Sequence, residues 1–238
     1  MAASLVAGLR AQGIAFPVAV VGDVMAAAAT GLADGPGLLV WAGTGSFAIA
    51  RDQAGELHRV GGRGYLLGDH GSAFDLVRRA AGAVLCAVDG LGPATALSEA
   101  LTTAFSAPAP QRLGAVLQRL APGEVASKLG VVLQVAAHGD LVANEVLIAG
   151  VEALAMLGNA AVRTAGLDWN ELPVAFGGGV LTGAPTIAES LTQRVRGFGS
   201  AVPRTIAPRA AAHGAAWLAE GWHCRRQPQS SWVQRVSI

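Results

Sequence analysis

The chain has 238 residues, 52% apolar and 14% charged, with a formal net charge of +1. That is enough apolar material for one large or two small packed domains. The near-neutral balance gives no field to draw in nucleic acid or an anionic membrane, and Arg78, Arg79, Arg225 and Arg226 come as isolated pairs, not a stripe.

In chain order, residues 2–12 read as the end of a helix. Residues 17–22 (PVAVVG) form a short β-branched run that predicts a buried strand. Residues 24–33 are small and helical, and LLVWA at 38–42 predicts a second buried strand. Residues 47–51 and 56–60 flank DQAG, whose turn chemistry predicts a hairpin. From 72 to about 166 the apolar residues fall at helical spacing, and Asp140 is placed to cap one long helix over 140–165. PVAF at 173–176 returns to strand, 186–195 to helix, 202–206 to a last strand and 210–222 to a closing helix; residues 225–238 form a polar tail. The longest charge-free stretches, 35–50 and 172–188, are broken by Gly, Thr and Pro, so neither predicts a spanning helix of about 20 apolar residues. The first residues lack the basic start of a signal peptide, and Cys86 and Cys224 offer no disulfide framework. A cytoplasmic setting is expected.

Four short motifs carry chemistry. Gly43, Thr44, Gly45 and Ser46 follow the LLVWA strand, where bare backbone and hydroxyls suit a phosphate. With Ala48 they imitate the dinucleotide pattern G-x-G-x-x-A, but a hairpin follows where that pattern needs a helix. A tight turn into a hairpin remains the plain alternative. Gly177, Gly178 and Gly179 sit between a strand and a helical segment, which lets an adenine or ribose lie on bare backbone. Three consecutive glycines cost backbone entropy and imply that something approaches closely; an ordinary turn is the alternative. Asp23 stands at the end of a predicted strand, either as a helix cap or as a general base toward a sugar hydroxyl. The densest polar–glycine stretch runs from 61 to 72 (GGRGYLLGDHGS); there Asp69 can accept from sugar hydroxyls, and His70 reads as a loop contact. No spacing fits a structural zinc site, and no GxxxxGK[ST] occurs.

Taken in order, Asp23, GTGS at 43–46, GGRGYLLGDHGSAFDL at 61–76, RRAAGAVLCAVDGLGPATALSEAL at 78–101 and FGGGV at 176–180 resemble the N-acetylglucosamine kinases of the BadF/BadG/BcrA/BcrD ATPase family. The likeness runs from about residue 18 to 219. It implies an α/β ribonuclease-H-like fold of the actin-like ATPase kind, with two such domains around a cleft. Residues 1–35, with the closing helix at 209–222, would be a remnant of the first domain. Residues 36–208 would form the second, with a helical insertion, and 223–238 a flexible tail. The implied activity is ATP-dependent phosphorylation of an amino sugar, with ATP and Mg²⁺ as cofactors and a homodimer as the default assembly. Asp23 would match the catalytic base. Gly43, Thr44 and Gly45 would match a phosphate loop, and Gly177, Gly178 and Gly179 the adenosine turn. Ser46, Gly62, Arg63, Asp69 and Ala73 would fall on the sugar side.

Two positions depart from the resemblance. The family's GTGS is often followed by Asn and its GG by Trp; here Phe47 and Arg63 stand in those places. Loss of a polar partner shifts specificity strongly, which leaves glucosamine, other amino sugars and muramic acid derivatives open. Arg63 could fork onto a carboxylate or simply lie in solvent. The family's D-G-G-G-T phosphate hairpin is also not found, which implies some 60 to 90 absent residues, judged as two or three units of about 30. Weak phosphotransfer is therefore expected from this chain, because positioning and charge neutralisation carry the reaction. Two other readings stay open: a non-catalytic sugar- or partner-binding remnant, and an ATPase activator of a 2-hydroxyacyl-CoA dehydratase. The second would need cluster-holding cysteines closer together than Cys86 and Cys224.

Overall fold

Two consecutive strands, each a largely apolar run buried on both faces, build the centre of the molecule. In the computed structural model, which describes residues 2–14, 23–32 and 35–205, helices α1 (Ala2–Ala11) and α2 (Asp23–Leu32) precede strand β1 (Gly37–Ala42). β2 (Ser46–Arg51) and β3 (Leu57–Gly61) follow as the predicted antiparallel hairpin. Its turn is closed by Asp52, whose carboxylate accepts from the Ala54 and Glu56 amides and pairs with His58 at 2.8 Å. Two further strands, β4 (Val174–Gly177) and β5 (Arg204–Thr205), join in parallel, so the sheet order is β3-β2-β1-β4-β5. The predicted strand at 17–22, the helix at 210–222 and the tail at 225–238 lie outside the described residues.

The sheet has two unlike faces. Leu38, Val40 and Ala42 face one way with Ala48 and Ala50, into the large core. Leu39, Trp41, Phe47 and Ile49 face the other way together with Ala175, and Ala28 and Leu32 of α2 cover them. Such period-two alternation is what a strand buried on both faces needs.

The large core is closed by helices α3 (Ala73–Val88), α4 (Leu97–Ala104), α5 (Leu113–Leu117), α6 (Pro122–Ala126), α7 (Leu129–Ala137) and α8 (Leu141–Thr164). Short helices stand where the spacing predicts one helical region, because Pro110 and Pro122 each open a new element and cannot continue an old one. Asp140 caps α8 as predicted: its carboxylate accepts from the Ala143 amide at 2.9 Å, worth about 1 kcal/mol. The same carboxylate accepts from the Thr95 hydroxyl and the Ala96 amide, tying α8 to the start of α4. By length and composition α8 could cross a membrane, yet here it lies across β1, β2 and β3. Gly158 lets Leu38 of the sheet reach the helix backbone.

After β4 come α9 (Gly179–Gly183) and α10 (Pro185–Gly197). The spacing predicts only the second; α9 is a single tight turn with no periodic signal. On the opposite face, two arginines from the sheet hold the C-terminal end of α2. Arg51 donates to the Leu32 and Gly35 carbonyls at 3.0 and 2.7 Å, and Arg204 donates to the Gly31 carbonyl from both Nε and Nη2. Cations suit a helix C-terminus, where carbonyls lack partners. Because Arg51 and its partner Gly37 sit where β1 begins, α2 runs back against β1. Its first residue, Asp23, is thereby carried toward the edge where β1 and β4 end.

Candidate functional site

Three loops meet at that edge, and main-chain bonds knit them together. In the turn after β1, the Gly43 amide donates to the Gly45 carbonyl at 2.8 Å, and the Ala73 amide donates to the Gly43 carbonyl at 2.8 Å. The Gly62 amide donates to the Ser46 carbonyl at 2.8 Å. The Ser46 hydroxyl is buried and donates to the His70 carbonyl at 2.7 Å. Ser46 and Ala73, both predicted on the sugar side, therefore act on the loops: one ties 46 to 70, the other ties 73 to 43. His70 takes part through its carbonyl, as a loop contact. Thr44 stands exposed at the tip of the first turn.

The loop at 69–72 is held from beneath by a buried carboxylate. Asp75 is 3% exposed and accepts from the Gly71 amide at 2.9 Å, from Arg78 at 2.7 Å and from Arg79 at 2.8 Å. Burial alone would raise its pKa; the Gly71 amide and the Arg79 and Arg78 guanidinium groups outweigh that and hold it below the usual carboxylate range. Gly71 has φ +77°, and a Cβ there would lie 2.6 Å from the Gly150 carbonyl of α8, so only glycine fits. Ser72 caps α3 by accepting from the Asp75 amide at 3.2 Å.

This frame lifts Asp69 into the left-handed region, at φ +54°. Its carboxylate lies directly over Gly45, where a Cβ would come within 2.8 Å of Oδ2. Oδ1 is buried and has no hydrogen-bond partner among the described residues. An unpaired buried carboxylate oxygen is costly and marks a group that awaits a donor.

Arg59 of β3 forms a second such group. Its guanidinium sits over the Phe47 ring, 5.2 Å from the centroid, and Nη2 donates to the Gly62 carbonyl at 3.1 Å. Nε is buried and unpaired among the described residues. Any side chain at Gly62 would collide with this guanidinium, so Gly62 serves as its seat. Phe47 itself stacks on Trp41, with ring centroids 5.9 Å apart and planes 8° from parallel. Arg63 is exposed on the following loop.

The turn after β4 lies beside the turn after β1. A Cβ on Gly43 would stand 3.9 Å from the Gly179 amide nitrogen. The close approach predicted for the three glycines is largely internal. The Trp41 ring lies on Gly177, and the Ala42 carbonyl fills the place of a Cβ on Gly178, whose φ is +87°. Gly179 alone faces open space. Asp23 opens α2, and its side chain lies outside the described residues.

The sequence reading passed over Arg59, Asp75 and Trp41. A signal for Arg59 was present, because strand alternation puts 59 on the face of Phe47, one step along the ladder from Gly61. Asp75 carried none, since a helical Asp followed by Arg at i+3 and i+4 reads as a solvated face.

Comparison with known proteins agrees with this geometry. The family model described as the BadF/BadG/BcrA/BcrD ATPase family matches residues 11–219. An N-acetylmuramic acid/N-acetylglucosamine kinase of Clostridium acetobutylicum is 29% identical over 175 residues, covering 73% of this chain and 57% of its own length. A solved structure assigned as an N-acetylglucosamine kinase, from Chromobacterium violaceum, superposes with a TM-score of 0.66 at 28% identity, covering 82% of this chain and 64% of that one. A ROK family glucokinase from Streptomyces griseus, solved with glucose and AMPPNP, shares the fold at a TM-score of 0.51 and 16% identity, covering 87% of this chain and 69% of that one. The chain spans little more than half the length of the curated relatives it matches.

Proposed function

The chain belongs to the BadF/BadG/BcrA/BcrD ATPase family, and on that premise we propose that its strand-end loops bind nucleotide and sugar in an ATP-dependent kinase acting on an amino sugar. The observation that carries this reading is the meeting of the turns at 43–45 and 177–179 beneath the unpaired Asp69 carboxylate. Ligands of open α/β sheets lie outside the carboxyl ends of the strands, which is this edge. Open backbone at Gly179 suits the adenosine, and the Thr44 hydroxyl with the Gly45 amide suits the phosphates. Asp69 takes sugar hydroxyls as donors.

In the reaction, a sugar hydroxyl oxygen attacks the γ-phosphorus, the bond to the β–γ bridging oxygen breaks, and ADP leaves. Asp23 accepts the hydroxyl proton. No group of three His, Cys, Asp or Glu side chains stands together among the described residues. Mg²⁺ would come with the triphosphate, the usual partner of this cation. Bound there, it neutralises charge on the phosphates.

The name of the Clostridium acetobutylicum relative supports N-acetylglucosamine and its lactyl ether, N-acetylmuramic acid, as the sugar class. The test is sugar-dependent release of ADP from Mg·ATP in a coupled assay. Asp23→Asn should lower turnover by about 10²- to 10⁴-fold, the range of a general base. Turnover within about threefold of wild type would remove Asp23 from that role.

A further inference from the structure

We propose that Arg59 is a specificity-determining residue that makes this site select an amino sugar bearing an acidic substituent, such as a carboxylate on an ether arm. The inference rests on the kinase reading above and names which sugar it takes.

Two side-chain atoms among the described residues are buried and unpaired, Asp69 Oδ1 and Arg59 Nε. Both belong to charged groups, and each of those groups is seated on a glycine of the strand-end loops. Asp69 lies over Gly45 and Arg59 over Gly62. The two glycines are neighbours, because Gly62 bonds to Ser46, the residue after Gly45. One site therefore presents a hydrogen-bond acceptor and a cation within the same knot of backbone.

Arg59 has no carboxylate partner among the described residues: its contacts are the Phe47 ring and the Gly62 carbonyl. Half-buried charge without a counter-ion is expensive. Other arginines here are satisfied internally, Arg78 and Arg79 by Asp75 and Arg204 by the end of α2. The guanidinium is also held in place. Phe47 supports it from one side, Trp41 supports Phe47, and the Gly62 carbonyl fixes one nitrogen. A planar fork fixed on an aromatic ring recognises a carboxylate without first losing much side-chain freedom.

Calorimetric titration of the full chain with N-acetylglucosamine, N-acetylmuramic acid and Mg·AMP-PNP tests this. The wild type should bind the acidic sugar about ten- to a hundredfold more tightly than the neutral one, the range of a charge-assisted hydrogen bond. In Arg59→Gln the ratio of the two affinities should collapse toward one. Arg59→Lys keeps the charge and the seat on Phe47, and should recover part of the ratio. Raised salt should shrink the wild-type ratio. Equal affinities in the wild type, or an unchanged ratio in Arg59→Gln with the circular dichroism intact, overturn the proposal and leave the kinase reading standing. A loss confined to Mg·AMP-PNP in Arg59→Gln also overturns it, because the anion would then be the triphosphate. Failure of the folded wild type to bind either sugar or the nucleotide overturns both.

Discussion

The turn after β4 lies beside the turn after β1, which is tied to the turn after β3; all three are glycine-rich, but glycine has different work in them. At Gly177 and Gly178 the missing side chains are replaced by the protein itself, by the Trp41 ring and the Ala42 carbonyl. At Gly45 and Gly62 they are replaced by charged groups that keep an unpaired atom, Asp69 and Arg59. The first pair is an internal joint. The second is a pair of seats for side chains that each keep one buried atom unpaired among the described residues. A run of glycines therefore does not identify a ligand loop. What fills the space of the absent Cβ decides.

Substitutions can separate the two uses. The largest expected effect is on stability: Gly178→Ala forces a left-handed alanine into the Ala42 backbone and should cost on the order of 2–4 kcal/mol. A urea midpoint equal to wild type would show that β1 and the turn can part cheaply. Next comes Asp69→Ala, which empties the seat over Gly45. It should weaken sugar binding about ten- to a hundredfold and spare Mg·AMP-PNP. Equal losses for both ligands would point to collapse of the loop instead.

A third effect is a change of pH dependence. Asp75 is held low in the folded chain, so its contribution is complete above the ordinary carboxylate value of about 4 and is lost as pH falls through the lower folded value. Unfolding free energy of the wild type should thus fall with pH below about 4. Asp75→Asn, which cannot titrate, should show a flatter fall, and identical slopes would mean that other carboxylates govern acid unfolding. The smallest effect is Gly179→Ala. Open space and helical backbone should hold the stability change within about 0.5 kcal/mol while nucleotide affinity drops. If affinity is untouched, Gly179 belongs with its two neighbours as an internal joint.

Much of this arrangement was legible because it is local. The LLVWA strand, the DQAG hairpin, the Asp140 cap and the strand before Gly177 each follow from residues within a few positions of one another. The meeting of motifs at 43–46, 61–62 and 69–73 was legible as a family pattern, but what the residues do there was not. Ser46 and Ala73 also tie the loops together, and that work was not legible, because backbone partners leave no trace in residue type. The clamp on α2 spans 173 positions between Gly31 and Arg204, and no periodicity reports so distant a pair. Arg59 was missed for a different reason: an arginine on an edge strand usually keeps the strand from pairing with strangers, and that reading hid its place on the face of Phe47.

The cross-ties carry a consequence for how such a site can change over generations. The shape of the three loops is written mostly in amide and carbonyl groups, with the Ser46 hydroxyl and the Asp75 carboxylate beside them. The chemistry proposed for the sugar is written in side chains at 47, 59 and 69. Mutation can therefore exchange the alphabet of recognition while the page it is printed on stays intact.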